Sequence, residues 1–187
     1  MQIKLTGIII VVLLIATGGY FFFKGSYQAP SPSPSPTPLS VEFKPGILEE
    51  VKAKFTNTTL AVWPDYQKEP FCVSGVVVGK PELGGMGFHA VKPGTSEDQI
   101  IDPLEPEIVL VDGKNNIVGI EYMVRADSQP SLFGAGFEAT APEGHPGFEI
   151  PHWDLHLWLI DNPAGAFAPF NPNVVCPEGS LPPAPII

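Results

Sequence analysis

The sequence predicts an α+β protein: a small, mainly antiparallel β-sheet domain with one or two N-terminal helices, tethered by a single transmembrane helix. A long apolar segment without charge lies near the start of the chain, and a proline-serine repeat follows it. Beyond these segments, β-branched runs and one strong hairpin signal outweigh the helical segments. The chain has 187 residues, which is enough for one domain in addition to an anchor and a linker.

The apolar segment, LTGIIIVVLLIATGGYFFF, covers residues 5–23. About twenty apolar residues are long enough to cross a bilayer. Lys4 and the α-amino group precede the segment, which favours a cytoplasmic end at residues 1–4 and a domain on the extracytoplasmic side. We therefore expect a single-pass protein of the cell membrane. A cleaved signal peptide is the alternative, although no good A-x-A cleavage site follows the segment.

Residues 24–38 form a predicted stalk that contains the repeat APSPSPSPTP. Alternating proline prevents helices and central strands and favours polyproline II, which extends by about 3.1 Å per residue. The repeat would hold the domain roughly 30 Å from the membrane. Residues 39–187 are then the extracytoplasmic domain.

This domain is strongly acidic. It contains all twenty Asp and Glu residues, against seven lysines and one arginine. Such a charge balance argues against a nucleic-acid partner and against docking on an anionic membrane surface. It is compatible with a cation or a neutral ligand, and it also simply keeps a surface domain soluble. The membrane is thus the one partner that the sequence predicts, through the N-terminal helix.

The two cysteines, Cys72 and Cys176, lie near the two ends of the domain. Two cysteines in an exported domain most simply form a disulfide, and two buried free thiols are the alternative. No C-x-x-C motif is present, which excludes a thioredoxin-like redox motif.

One helix and several strands are expected within the domain. Residues 45–55, PGILEEVKAKF, have acidic residues early, basic residues late and one apolar stripe, all typical of a helix. A second helical turn is possible at residues 58–63, where Pro64 would stop it. The predicted strands are residues 71–79, residues 84–91, the two apolar runs that flank DGKNN within 107–124, and residues 153–160.

The last strand begins beside the run HWDLH, residues 152–156. As a helix this run would be apolar nearly all round, and it lacks the Glu of the H-E-x-x-H metalloprotease motif. As a strand it places Trp153, Leu155 and Leu157 on one face. His152, Asp154 and His156 then share the other face. The strand prediction separates the two histidines by about 13 Å, so both cannot bind one ion on a straight strand.

A divalent metal such as zinc or iron is the candidate cofactor, because two histidines and a carboxylate are a common ligand set for both. His89, Glu121 and His156 are the main candidate ligands, and Glu121 is conspicuous as a carboxylate in the middle of an apolar strand. His152 and His145 are further candidates that could instead support the ligands from outside. The alternative is that the polar face of the last strand is merely solvated.

The segments GGMGFHAVKP, EIVLVDGKNNIVGIEYMV, SLFGAGFEA and HWDLHLWLIDNPAGAFAPFNPNVVC resemble those of a family of exported, uncharacterised microbial proteins. That family has the pattern G-M-G-x-H, V-x-V-E-Y, S-L-F-G, L-H-V-W and N-P-x-G-x-F-x-x-x-N-P-x-V-x-C. The likeness extends over about residues 72–176 and leaves out the anchor and the stalk. It implies no activity, but His89, Glu121 and His156 stand at matching positions, which adds weight to them.

Three functions agree with these observations. The first is a membrane-anchored extracytoplasmic domain that binds a metal, or a small ligand through a metal, at the His/Glu cluster. The second is a metal-dependent extracytoplasmic enzyme, which would need the same cluster and an open coordination position. The third is a structural or recognition module that binds glycans or proteins through its tryptophans, whose alternative role is core packing. Catalytic residues are not predicted.

Overall fold

The computed structural model describes residues 43–95, 99–140, 144 and 150–182. The predicted membrane span, the whole predicted stalk and the candidate ligand His145 lie outside these residues. None of the helices in the described part of the chain has the length and apolar composition needed to cross a bilayer.

The domain is mainly an antiparallel sheet with one α-helix on its N-terminal side, as the sequence predicts. Six strands form the main sheet in the order β1-β2-β3-β4-β8-β7, and β5 and β6 form a separate small hairpin. The helix α1 spans Ile47–Phe55, and the strands are β1 Gln67–Ser74, β2 Gly85–Val91, β3 Ile108–Val111, β4 Ile117–Val124, β5 Ser131–Leu132, β6 Ala135–Gly136, β7 Glu138–Ala139 and β8 Trp153–Trp158.

Helix α1 begins later than residue 45, where the sequence places its start. Gly46 has a positive φ of 85°, a left-handed conformation that glycine adopts without strain, and the helix starts at the next residue. Val51 and Phe55 of its apolar stripe are fully buried against the sheet. The second predicted helical turn is present as a 3-10 turn at Leu60–Val62.

The predicted strand at residues 71–79 is wrong beyond Ser74. The three valines that follow lie in a 3-10 turn, Gly75–Val78, and their side chains are about half exposed. The Ser74 hydroxyl accepts a hydrogen bond from the backbone N–H of Val76, and the N–H of Lys80 bonds to the carbonyl of Gly75. These local bonds turn the chain despite the β-propensity of valine, because that propensity depends on burial against neighbouring strands.

The predicted hairpin at DGKNN is confirmed as the connection between β3 and β4. Asp112 organises the turn: one carboxylate oxygen accepts from the backbone N–H groups of Lys114 and Asn116, and the other accepts from the Asn116 side-chain amide. Asn115 takes the left-handed conformation that the turn requires, with φ 66°. The turn therefore fixes the register of the two central strands.

We expect the stability of the protein to depend on the charge of Asp112. Burial raises the pKa of Asp112, but the hydrogen bonds from Asn116 and Lys114 outweigh this effect and hold the pKa below its usual value. The charge therefore stabilises the folded state above about pH 4, and this stabilisation is lost as the pH falls through the lowered pKa. Asp112→Asn should lower the free energy of unfolding by about 1 kcal/mol at pH 7. Urea unfolding at pH 7 and pH 3 tests this, and an equal loss at both pH values would contradict it.

The main sheet is buried on both faces. One face packs against α1 through a large apolar cluster that includes Val109, Ile120 and Leu157. The second face carries a smaller cluster of six buried residues: Ile108, Leu110, Val118, Met123, Trp158 and Val174. Two-sided burial explains why β4 is buried along its whole length and reads as a nearly continuous apolar run.

The segment after β8, residues 161–176, covers part of the second face, and we call it the C-terminal strap. The indole N–H of Trp158 donates to the carbonyl of Ala168 over 2.6 Å, and Asn171 forms a backbone bridge with Gly85. A side chain at Gly84 would place its Cβ only 2.2 Å from the Asn171 carbonyl oxygen, so the close approach of the strap requires glycine there. The strap is thus packed tightly against the start of β2.

The disulfide between Cys72 and Cys176 is confirmed. It joins β1 to the end of the strap, with the two Cα atoms 5.6 Å apart and a sequence separation of 104 residues. No free cysteine is present, so the alternative of two buried thiols is excluded.

Candidate metal centre

The register of β4 and β8 places Glu121 directly opposite His156. Residues that face each other in an antiparallel pair project to the same side of the sheet, so both side chains lie on the second face. The strand prediction for HWDLH is therefore confirmed. Trp153, Leu155 and Leu157 pack into the core on the opposite face, as their parity predicts.

His89 reaches the same place from β2. The strand of His89 is not adjacent to that of Glu121, because β3 lies between β2 and β4. His89 pairs with Leu110 of β3. Leu110 is on the same face of the sheet as Glu121, but it belongs to the neighbouring row, where a row is a line of cross-strand partners that runs across the sheet. The histidine and glutamate side chains are long enough to meet over the intervening strand.

The three side chains converge. His89 Nε2 lies 3.1 Å and His156 Nε2 lies 3.6 Å from the same oxygen, Oε2 of Glu121. One ligand atom of each residue lies within 4.8 Å of the other two. All three residues are buried, with 9% of His89, 1% of Glu121 and 7% of His156 exposed. The three candidate ligands therefore lie together in one buried cluster, whereas metal binding stays a prediction.

These separations fit the dimensions of a metal site. Zinc binds histidine nitrogen and carboxylate oxygen at about 2.0–2.2 Å. Two ligand atoms at a tetrahedral angle are then about 3.3–3.6 Å apart. The two distances to Oε2 of Glu121 lie close to this range, and the remaining separation of up to 4.8 Å would shorten when an ion binds.

The nitrogen of His156 gives further support. Its Nε2 is buried and has no hydrogen-bond partner among the described residues, and the Glu121 oxygen at 3.6 Å is too far for a normal bond. A buried nitrogen without a partner costs about 1–3 kcal/mol. A metal ion between His156 and Glu121 would remove this cost.

His152 does not join these ligands. Its Nε2 lies 3.2 Å from Oδ1 of Asp154, and its Nδ1 lies 2.6 Å from the carbonyl oxygen of Ile150. His152 and Asp154 are buried, with 4% and 8% of their surfaces exposed, so the alternative of a solvated polar face on β8 is wrong. Sequence reasoning placed Asp154 on the correct face but gave it no partner. The sequence signal was the alternation of His152, Asp154 and His156 with apolar residues, which places the three polar side chains on one face of the strand.

The electrostatics of this pair depend on burial and on Glu121. Burial raises the pKa of Asp154, the hydrogen bond from His152 opposes this, and the Glu121 charge adds to the rise, so the net shift is upward. Burial lowers the pKa of His152, but the hydrogen bond and the charge of Asp154, together with the Ile150 carbonyl, outweigh it and raise the pKa. Both pKa values are therefore shifted upward.

Comparison with protein-family models, with curated proteins and with solved structures found no match. The resemblance to exported microbial proteins therefore stays a prediction, and the metal centre is supported by its own geometry alone.

Proposed function

We propose that this protein is a membrane-anchored extracytoplasmic domain that binds one divalent metal ion through His89, Glu121 and His156. The convergence of these three buried side chains, within 4.8 Å of one another, carries the proposal. A buried carboxylate needs a cation or several hydrogen bonds to offset its lost hydration. A metal ion held by two neutral imidazoles supplies the cation at this point.

The donor set indicates which metals to expect. Two histidines and one carboxylate suit zinc, and they also suit non-haem iron(II) in its facial arrangement. Three protein ligands leave at least one coordination position for another molecule. This is the observation that favours the second candidate function, a metal-dependent extracytoplasmic enzyme, because catalytic zinc sites keep a position open where structural sites are closed.

The tryptophans give less support to a recognition module. Trp63 stacks on Phe55 with ring centroids 4.7 Å apart, and Trp158 is buried on the second face. The indole N–H of Trp153 donates to the carbonyl of Ala126. These contacts favour core packing over an exposed aromatic surface for glycans.

Metal stoichiometry tests the proposal directly. The purified full-length chain, stripped with chelator and dialysed against zinc or iron(II), should retain one equivalent of metal. His89→Ala and His156→Ala should each weaken binding by more than about 100-fold, because loss of a ligand exceeds the 10–100-fold effect of losing an outer partner.

His152→Ala serves as the matched control, since this buried histidine on the same strand lies outside the ligand set, and it should keep the metal. Wild-type protein that retains less than a tenth of an equivalent of either metal would overturn the proposal. Equal loss in all three histidine variants would show that the proposed ligand set is wrong.

A further inference from the structure

We infer that the open coordination position of the metal faces Asp154 and takes a small ligand that donates a hydrogen bond, such as water or another protic oxygen donor. This inference rests on the proposed metal site and names the class of molecule that completes it. The inference depends on what lies on either side of the metal ligands on the second face: one neighbouring row of side chains contains Asp154, and the other is covered by the C-terminal strap.

Asp154 occupies the row next to the metal ligands. It precedes His156 by two residues on β8, and its cross-strand partner Met123 follows Glu121 by two residues on β4. Side chains two residues apart on a strand share a face at about 6.8 Å. A ligand bound about 2 Å from the metal toward this row would lie within hydrogen-bonding range of the Asp154 carboxylate.

The opposite row is covered. On that side of the ligands, His89 lies in one row with Leu110, Gly119 and Trp158. The C-terminal strap packs on this row through the bond from Trp158 to Ala168 and through Val174. The C-terminal strap therefore covers the row of side chains on this side of the ligands.

A cleft with a volume of about 320 Å³ is lined by residues that include Arg125, Thr140, His152 and Trp153. It lies where β4 ends and β8 begins, and two of its lining residues, His152 and Trp153, directly precede Asp154. Its size suits a small molecule, and ligand sites typically combine such a cavity with a few convergent polar groups.

Asp154 is held in place to act as an acceptor. His152 Nδ1 donates to the Ile150 carbonyl, and His152 Nε2 lies 3.2 Å from the Asp154 carboxylate, so the ring restrains that carboxylate. A ligand that donates a hydrogen bond fits between the metal and Asp154, because the Asp154 carboxylate would accept that bond. Asp154 is therefore a positioning residue for the metal-bound ligand.

Water exchange on the bound metal tests this role. The full-length chain is loaded with Mn²⁺, and oxygen-17 relaxation of water gives the residence time of the metal-bound molecule. Asp154→Ala should shorten this residence time about tenfold, because one charge-assisted hydrogen bond is lost. Asp154→Asn keeps one acceptor oxygen and should give an intermediate value. Glu138→Gln, at the exposed cross-strand neighbour of Asp154, is the matched control and should leave the residence time unchanged.

The outcomes separate this inference from the proposed function. If the wild-type chain binds neither zinc nor Mn²⁺, the metal site itself fails. If it binds metal and Asp154→Ala leaves the residence time within twofold of wild type, only the role of Asp154 fails. Should Asp154→Ala not fold, His152→Gln decides, because it frees the Asp154 carboxylate from its ring partner and should also shorten the residence time. An unchanged value in that variant would overturn the inference.

Discussion

Loss of the Cys72–Cys176 disulfide is expected to lower the free energy of unfolding by about 4 kcal/mol. The bond closes a loop of about a hundred residues, for which the chain-entropy model gives about 4.7 kcal/mol as an upper value. Because 1 kcal/mol moves the Tm of a domain of this size by about 2–4 °C, the midpoint should fall by roughly 8–16 °C.

The measurement is urea unfolding of the oxidised chain and of the double variant Cys72→Ser/Cys176→Ser, which avoids any effect of reductant on a bound metal. Part of the loss should come from the C-terminal strap. The disulfide fixes the end of the strap beyond Asn171 and Val174, and the double variant removes this attachment. The single variant Ser180→Ala serves as the control. Ser180 lies beside Cys72, whose backbone N–H donates to the Ser180 carbonyl, and this variant keeps the disulfide. A loss below about 1 kcal/mol in the double variant would contradict the expectation.

Glu121→Gln is expected to abolish the stabilisation of the protein by metal. A ligand that binds only the folded state at a hundred times its Kd adds about 2.7 kcal/mol to the free energy of unfolding. The neutral amide of glutamine is a much poorer metal ligand than a carboxylate, so zinc should no longer raise the Tm. In the presence of chelator the variant should be at least as stable as wild type, because it no longer carries a buried negative charge.

The matched control is Glu107→Gln. Glu107 is also buried and lies next to β3, where its carboxylate accepts a hydrogen bond from the backbone N–H of Met123. This variant should lose stability with and without metal but keep the zinc response. Thermal unfolding of the three proteins in chelator and in excess zinc distinguishes the cases. If Glu121→Gln responds to zinc like wild type, Glu121 is not a ligand.

The parts of the fold that depend on local patterns were predictable from the sequence. Alternation along residues 152–160 indicates which face each side chain of β8 takes, and the turn residues from Asp112 to Asn116 indicate the hairpin. The valine run after Ser74 was misleading because propensity does not show whether a sheet partner is present. At that point the hydrogen bond to the Ser74 hydroxyl and the following glycine form a 3-10 turn, so the valines do not continue the strand.

The candidate site was predictable in its members but not in its arrangement. A carboxylate in the middle of a buried strand needs a partner, which pointed to Glu121 and to the histidines. Which histidines reach it depends on the strand order, and a single sequence does not show that β8 inserts between β4 and β7 or that β3 separates His89 from Glu121. The pairing of His152 with Asp154, which removes His152 from the ligand set, depends on side-chain geometry within one strand.

The position of β8 in the sheet also affects when the metal centre forms. His156 is on a strand near the end of the chain, yet it pairs with β4 in the middle of the sheet, while His89 lies on the second strand. Such pairing between distant segments forms late in folding, because the intervening chain must first be closed into a loop. An emerging or translocating chain that lacks β8 therefore has no complete set of ligands. If the domain is exported unfolded, as its predicted anchor implies, it acquires metal in the compartment where folding ends and from the metal pool of that compartment.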